Sequence, residues 1–334
     1  MAKFPVGKLP AQVLSRLLQQ LSSSDPNVIL GPGIGLDCAL IGRGEQVLVL
    51  KSDPITFTAE NIGWYAVHVN ANDIATTGAQ PKWFLATLLL PAARFDENQI
   101  DTILKQIDEA CQHVGATLVG GHTEITTGID RCILCGTMIG EVEREDLITP
   151  QGARPGDTLI LTKGIPIEAT SILANDFADK LKSLPGDLLT RAQNFLHDPG
   201  IGVVTEALAA ARCGGVSAMH DPTEGGLSTG VWELAAASKV GLILESEAIP
   251  IPVESQAICS ALDVNPLEAI ASGALLLTVR PGAAADVLAA IDATGVDAYV
   301  IGEVIEGENV AMRTSGSLTA LPWPTRDALT HLIE

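Results

Sequence analysis

The sequence is poor in positive charge and in aromatic side chains. Its 334 residues include 20 Lys and Arg against 40 Asp and Glu, which gives a formal net charge of −20 at pH 7. Nucleic acids are polyanions whose binding depends on Lys and Arg, so this balance argues against a nucleic-acid partner. Aromatic residues make up only 4%. An interior of aliphatic side chains is typical of α/β layers rather than of an aromatic-rich β-sandwich.

Cysteines are too few and too dispersed for a disulfide framework. Two of the six, Cys132 and Cys135, have CxxC spacing, but no second Cys pair or His pair completes a zinc site. Both lie in an apolar run that predicts a strand. We therefore interpret them as core thiols.

Long apolar runs are also absent. The run Trp83–Leu90 is too short to span a bilayer. The first residues, MAKFPVG, contain no apolar signal-peptide core. We expect a cytoplasmic protein with no membrane partner.

The common nucleotide-binding motifs are missing. The sequence has no P-loop, and Gly31, Gly33 and Gly35 do not have the GxGxxG spacing. It has no nucleophile elbow and no kinase motif set. These absences argue against an ordinary Rossmann enzyme, a P-loop ATPase and a serine hydrolase. An acidic chain that binds a phosphorylated ligand must instead use backbone N–H groups, metal ions or a few selected cations.

The length predicts two domains, because a single core rarely grows this large. The Pro- and Gly-rich stretch Arg144–Asp157 is the best boundary and divides the chain into residues 1–150 and 151–334. Hydrophobic periodicity predicts helices and strands in both halves, and hence two mixed α/β units. The predicted helices are 9–21, 61–77, 96–113, 168–177, 201–211, 227–237 and 283–293; the predicted strands are 46–51, 83–90, 117–119, 132–141, 158–162, 216–220, 242–245, 274–279 and 298–301.

Carboxylates recur at strand ends and in Gly-rich turns. A single Asp in such a place is usually a turn former or a helix cap. Asp73 is harder to explain in this way, because it follows Asn70 and Asn72 within an otherwise apolar helix, and a buried carboxylate needs a partner or a metal. Mg²⁺ prefers oxygen ligands and shares them with substrate phosphates. The set comprises Asp37, Asp53, Asp73, Glu124, Asp221 and Glu224.

Three glycine clusters are candidate phosphate-binding loops: Gly31–Gly35, Gly120–Gly121 and Gly225–Gly226. Successive N–H groups can form an anion-binding nest, and the last cluster precedes a predicted helix N-terminus. Tight turns without a ligand remain the alternative. Lys163 ends a predicted strand, where a cation can meet phosphate. His122, in what we take to be a turn, is either a functional base, phosphate donor or metal ligand, or a structural residue.

Several segments in order carry a resemblance to a known family. They are Leu50–Phe57 (LKSDPITF), Val69–Pro81 (VNANDIATTGAQP), Val119–Glu124 (VGGHTE), Asp221–Leu227 (DPTEGGL) and Ala271–Leu275 (ASGAL). This series resembles the aminoimidazole-ribonucleotide (AIR) synthase-related superfamily, and within it most closely the HypE-like hydrogenase expression/formation proteins. The usual Gly-Gly-Asp-Thr form of thiamine-monophosphate kinases is replaced by Gly-Gly-His-Thr, which argues against that branch.

The resemblance implies an AIR synthase-like α/β (α+β) fold of two domains. In that fold the N-terminal sheets of a homodimer form a barrel-like interface, and the C-terminal domain is α/β. It implies ATP and Mg²⁺ as cofactors, with Asp37, Asp53 and Asp73 as metal ligands and Asp221 facing the nucleotide. Together with the residue patterns above, we predict His122, Glu124 and Asp221 as catalytic residues. The predicted nucleotide-binding residues are Gly33, Gly35, Asn70, Asn72, Gly120, Gly121, Thr123, Lys163, Glu224, Gly225 and Gly226.

The resemblance also implies a reaction, phosphoryl transfer that activates an amide, carbamoyl or phosphate acceptor.

This sequence departs from the family pattern at two places. Family members usually carry an acidic residue where Leu36 stands, so the metal stoichiometry is open. HypE proteins end in a tail with a terminal cysteine, whereas this sequence has no cysteine after Cys259, so we expect no carbamoyl transfer to its own tail. The alternative function is a nucleotide-binding accessory factor that works with a maturation partner protein. The segment around Lys8 is expected to fold over the nucleotide.

Overall fold

The computed structural model describes residue 4 and residues 9–21, 25–56 and 60–333. Contacts divide the chain into two compact units. The N-terminal unit comprises Asp25–Gly31 and Asp37–Leu147, and the C-terminal unit comprises Met1–Ser24, Pro32–Leu36 and Ile148–Glu334. The division at Leu147 lies near the predicted boundary at residue 150. The sequence does not predict that residues 9–21 and Pro32–Leu36 group with the C-terminal unit.

The N-terminal unit contains a six-stranded sheet with the strand order β1-β2-β3-β6-β4-β5. All neighbouring strands are antiparallel except β4 and β5, which are parallel. The strands are β1 (Val28–Leu30), β2 (Ala39–Arg43), β3 (Gln46–Ile55), β4 (Gln80–Pro91), β5 (Thr117–Thr126) and β6 (Ile133–Glu143).

Two helices pack in this unit. Helix α2 (Ile62–Ala75) contacts β3, β4, β6 and helix α3 (Glu97–Val114), and each of its residues except Trp64 is buried. Helix α3 is amphipathic, as its sequence predicts. It begins with a capping box at Asp96 and ends at Gly115 in the left-handed conformation, so its terminal backbone groups are satisfied.

The C-terminal unit contains a seven-stranded sheet with the order β13-β12-β9-β11-β7-β10-β8, in which only β9 and β12 are parallel. Its strands are β7 (Thr158–Thr162), β8 (Val216–His220), β9 (Gly241–Glu245), β10 (Leu276–Val279), β11 (Ala298–Ile305), β12 (Val310–Thr314) and β13 (Ser317–Ala320). The mixed α/β class is confirmed, with mainly antiparallel sheets.

The helices grouped with this unit are mostly short. They are α1 (Ala11–Leu18), α4 (Ile167–Asp176), α5 (Gly186–Gln193), α6 (Val204–Cys213), α7 (Gly226–Ser238), α8 (Val253–Leu262), α9 (Ala284–Asp292) and α10 (Thr330–Ile333). One aliphatic core joins the sheet to α7. A second core joins α4, α5 and α8 to the C-terminal segment around Leu329. Within the described residues, no helix is long and apolar enough to cross a membrane.

One sequence expectation is wrong in a way that affects the site. The strand predicted at 117–119 continues to Thr126, so Gly120–Glu124 is not a turn but the middle of β5. Gly121 has φ +148°, and a Cβ there would lie 1.9 Å from the carbonyl oxygen of Ala86 on β4. Glycine at position 121 therefore permits β4 and β5 to approach closely. The sequence alone does not distinguish this use of glycine from its use in a tight turn.

Candidate functional site

The central feature of the N-terminal unit is a polar cluster between strand β3 and helix α2. Side chains two apart on a strand share a face, so Lys51 and Asp53 lie on the same face of β3 as the buried Val47 and Val49. The helix contacts this strand. It contributes Asn70 and Asp73, which are three apart and therefore neighbours on its surface.

Asn70 fixes the backbone of β3 at Asp53. Its Oδ1 accepts a hydrogen bond of 2.9 Å from the Asp53 N–H, and its Nδ2 donates one of 2.8 Å to the carbonyl of Ala66. The neighbouring strand makes room for this amide, because a Cβ at Gly136 would lie 2.6 Å from Asn70 Nδ2 and 2.8 Å from the ring of Phe84. Asn70 thus holds Asp53 in place from within the core.

Lys51 lies between two of the three predicted metal ligands. Its Nζ is 3.1 Å from Asp53 Oδ2 and 3.0 Å from Asp73 Oδ2, and its side chain is only 11% exposed. Burial alone would lower the pKa of this ammonium. The Asp73, Asp37 and Asp53 carboxylates outweigh burial and raise the pKa of Lys51 well above its usual value. The structure therefore brings all three carboxylates within electrostatic reach of one lysine.

This donor set suits a hard divalent cation. Three carboxylates and one ammonium carry a net charge of −2, and carboxylate oxygens are the ligands that Mg²⁺ prefers. Asn72 is fully buried on the same helix. Lys51 is not among the candidate site residues that the sequence predicts. The available signal was its spacing from Asp53, which places both residues on one face of a strand.

The predicted catalytic residues of β5 lie elsewhere on the sheet. Asp53, Gly136, Ala86 and Gly121 are paired in one row across β3, β6, β4 and β5. Three strand spacings separate its ends, or roughly 14 Å. His122, next to Gly121, is therefore not brought together with Asp53 within one chain.

Strand β5 is an exposed edge strand. His122 Nε2 lies 3.3 Å from Glu124 Oε2, and the two side chains are 63% and 53% exposed. Gly120 and Thr123 are exposed on the same strand. The apolar side chains of Leu118, Val119 and Ile125 are exposed there as well.

In the C-terminal unit, the predicted Gly225–Gly226 anion site is occupied by the chain itself. Gly225 N–H donates a hydrogen bond of 2.7 Å to Asp327 Oδ2, at the N-terminus of α7. A Cβ at Gly226 would lie 2.5 Å from the carbonyl of Ala269, so this position also requires close packing. The anion at this helix N-terminus is thus the Asp327 carboxylate of the C-terminal segment. The two residues are 102 positions apart, so the local sequence does not indicate the contact.

Asp221 is buried at the end of β8, beside His220, whose Nε2 lies 3.0 Å from Glu233 Oε2 on α7. Glu224 is partly buried in the following turn. Gly35 has φ +67°, and a Cβ there would lie 2.8 Å from the carbonyl oxygen of Glu233. Gly33 pairs with Leu36 in an isolated β-bridge of the same turn.

Lys163, which is predicted to contact phosphate, is bound by groups of the protein itself. Its Nζ lies 2.8 Å from Glu206 Oε1 and also donates to the carbonyls of Gly200 and Gly202. The Lys163 ammonium is thus held by one ion pair and two hydrogen bonds to backbone carbonyls. The side chains of Lys163 and Glu206 are only 7% and 2% exposed.

Sequence reasoning also missed Glu168, which is buried at the start of α4. It looked like an ordinary acidic residue in a first helical turn, and no local pattern signalled its burial. Lys8, which was predicted to cover the nucleotide, lies outside the described residues.

Two family models match the sequence of this chain. Residues 35–142 match the model of the AIR synthase related protein, N-terminal domain, and residues 154–315 match that of its C-terminal domain. A protein from Cupriavidus necator named carbamoyl dehydratase HypE is 31% identical over 287 residues, which is 84% of this chain and 78% of the relative.

Solved structures show the same fold. A crystal structure of the hydrogenase maturation protein HypE in complex with ATP is similar with a TM-score of 0.71 and 21% identity, over 94% of this chain and 90% of that one. A HypE–HypF complex is similar with a TM-score of 0.71 and 22% identity, over 87% of this chain and 94% of that one.

Proposed function

We propose, from the premise that this chain belongs to the AIR synthase related protein family, that it binds ATP with Mg²⁺ and catalyses HypE-like phosphoryl transfer. The acceptor is an oxygen of an amide, carbamoyl or phosphate group. The observation that carries the proposal is the contact of Asp53 and Asp73 with Lys51, with the Asp37 carboxylate near enough to raise the pKa of the same lysine. The relative named carbamoyl dehydratase and the HypE–ATP complex give the proposal its chemistry.

The residues of the chain have separable tasks in this proposal. Asp53 and Asp73 would hold Mg²⁺, which neutralises phosphate charge when bound. Asn70 holds the Asp53 backbone through its 2.9 Å hydrogen bond, so the carboxylate is positioned before any ligand arrives. Positioning and charge stabilisation account for most of the catalysis in phosphoryl transfer.

The direct test is nucleotide binding by the purified protein and by Asp53→Asn. ATP with Mg²⁺ is expected to raise the melting temperature, because a ligand of the native state adds stability, and EDTA is expected to remove most of the shift. Asp53→Asn is expected to weaken Mg-ATP binding about ten- to hundredfold, since it removes a charged acceptor from the site. Asp53 is a better site for this substitution than Asp73, because its side chain is 37% rather than 3% exposed and its replacement disturbs the core less.

The matched control is Asp101→Asn. Asp101 is in the same unit and also pairs with a lysine, Lys105, but both side chains are more than half exposed on α3. Its loss is expected to leave Mg-ATP affinity unchanged. A wild-type melting curve that does not respond to millimolar Mg-ATP would remove the proposed function.

A homodimer through β5 is part of the proposal. The edge strand exposes unpaired backbone groups together with Leu118, Val119 and Ile125, and native proteins rarely leave such an edge uncovered. We predict a dimer by light scattering at micromolar concentration, converted to monomer by Val119→Asp. Leu318→Asp, on the exposed edge strand β13 of the other sheet, is the control and should remain dimeric. A monomeric wild type would contradict the interface.

A maturation partner protein is the second part of the proposal, and the HypE–HypF complex supports it.

An accessory, non-catalytic role is the alternative function. It is favoured by the roughly 14 Å between Asp53 and Gly121, because this distance separates the proposed metal ligand from the predicted catalytic His122 within one chain. ATP hydrolysis or transfer by the protein alone would favour the enzyme, and tight Mg-ATP binding without turnover would favour the accessory factor. We infer a cytoplasmic location, which cysteines that form no disulfide and a nucleotide ligand support.

A further inference from the structure

We propose that the Lys51 ammonium is a permanent part of the metal site. It takes the place of a second metal ion, so the N-terminal unit binds only one divalent cation there. The inference rests on the proposed function. It assigns to Lys51 a role that the family resemblance does not supply, that of a positioning residue which sets the charge of the site.

The position of the ammonium supports this role. Lys51 Nζ lies 3.1 Å and 3.0 Å from the Oδ2 atoms of Asp53 and Asp73, which come from different secondary-structure elements. The ammonium therefore cross-links strand β3 and helix α2 at the two carboxylates. A cation bound by both residues must use other carboxylate oxygens or displace the ammonium.

The burial of the cluster distinguishes it from a surface ion pair. Exposed pairs contribute little, because water and salt screen them. The side chains of Lys51 and Asp73 are only 11% and 3% exposed, so screening is weak and like charges would repel strongly without the lysine. Lys51 thus keeps the carboxylates close together in the absence of metal.

Charge then determines how many cations the site takes. With Lys51 the cluster carries −2, which one divalent cation neutralises. Without Lys51 the cluster carries −3. The excess negative charge then attracts a second divalent cation to the place of the ammonium. A neutral residue at position 51 is therefore expected to increase metal binding.

The test is Mn²⁺ binding to the full chain, measured by electron paramagnetic resonance of free Mn²⁺ without nucleotide. Lys51→Met is expected to bind Mn²⁺ about ten- to hundredfold more tightly than wild type, or to bind one additional equivalent. Lys51→Arg keeps the charge and should resemble wild type. The control Lys82→Met removes another lysine of the same unit, paired with Glu141, and should also resemble wild type.

Thermal unfolding gives a second measurement. Lys51→Met removes the ammonium that the Asp53 and Asp73 carboxylates share, so it should melt below wild type in EDTA and recover as Mn²⁺ is added. Unchanged or weaker Mn²⁺ binding by Lys51→Met, or a variant that Mn²⁺ does not restore, would overturn the inference. Because these measurements contain no nucleotide, a wild type that fails to bind Mg-ATP would remove the proposed function without deciding the role of Lys51.

Discussion

Replacing Glu206 by Gln is expected to lower the free energy of unfolding by about 3–5 kcal/mol. The substitution keeps the size of the side chain but removes its charge, and it leaves the Lys163 ammonium in a site where its side chain is only 7% exposed. The carbonyls of Gly200 and Gly202 still accept hydrogen bonds from Lys163, but they cannot neutralise it. Urea-induced unfolding of the two proteins measures the difference.

Two further variants show whether the cost arises from the unpaired charge. Glu254→Gln removes a glutamate of the same unit from an ion pair with Arg191, whose side chain is 53% exposed, and should have a much smaller effect because water solvates the freed arginine. The double variant Lys163→Met/Glu206→Gln removes both charges and should recover most of the loss. Equal losses for Glu206→Gln and Glu254→Gln would contradict this account of the buried pair.

The part of the site that the sequence predicts best is the one with a local pattern. Asn70 and Asp73 interrupt an apolar helix, and polar residues at such positions must face a partner or a ligand. The structure shows them in the polar cluster with Lys51 and Asp53. Here local pattern and tertiary position agree, because the helix lies against strand β3 in the same unit.

The parts that the sequence does not predict depend on distant contacts. The paired glycines before His122 look like a turn, but Gly121 is needed for the approach of β4 to β5. Helix α8 follows Pro252 in a Pro-rich stretch that resembles a loop, although proline is well tolerated where a helix begins. Asp327 reaches the N-terminus of α7 from the other end of the unit. None of these has a signature within a short window of sequence.

Glu168 illustrates how such a contact changes the chemistry of a residue. Burial raises the pKa of its carboxyl to about 8, the polar groups of the neighbouring Ser272 oppose this shift, and the nearby Glu224 and Asp327 carboxylates add to it. Burial likewise raises the pKa of Asp327 to about 6. Glu168 is therefore protonated in the folded protein at neutral pH, although an exposed glutamate would be ionised.

The sign of the resulting pH dependence follows from linkage. The pKa of Glu168 is about 8 when folded against 4.5 for an ordinary glutamate, so the folded state holds a proton that the unfolded state releases. Its contribution to stability is fully present below pH 4.5 and is lost as the pH rises through about 8. Asp327 contributes in the same direction over a lower range, since its pKa is raised to about 6.

Replacing Glu168 by Gln is accordingly expected to stabilise the protein at alkaline pH. The amide resembles the protonated acid in size and remains neutral, so the variant should match wild type near pH 4.5 and exceed it by about 3–5 kcal/mol at pH 9. Urea unfolding at intervals between these pH values measures the difference. Parallel stability curves for variant and wild type across this range would show that Glu168 is ionised in the fold, contrary to the role that its burial assigns.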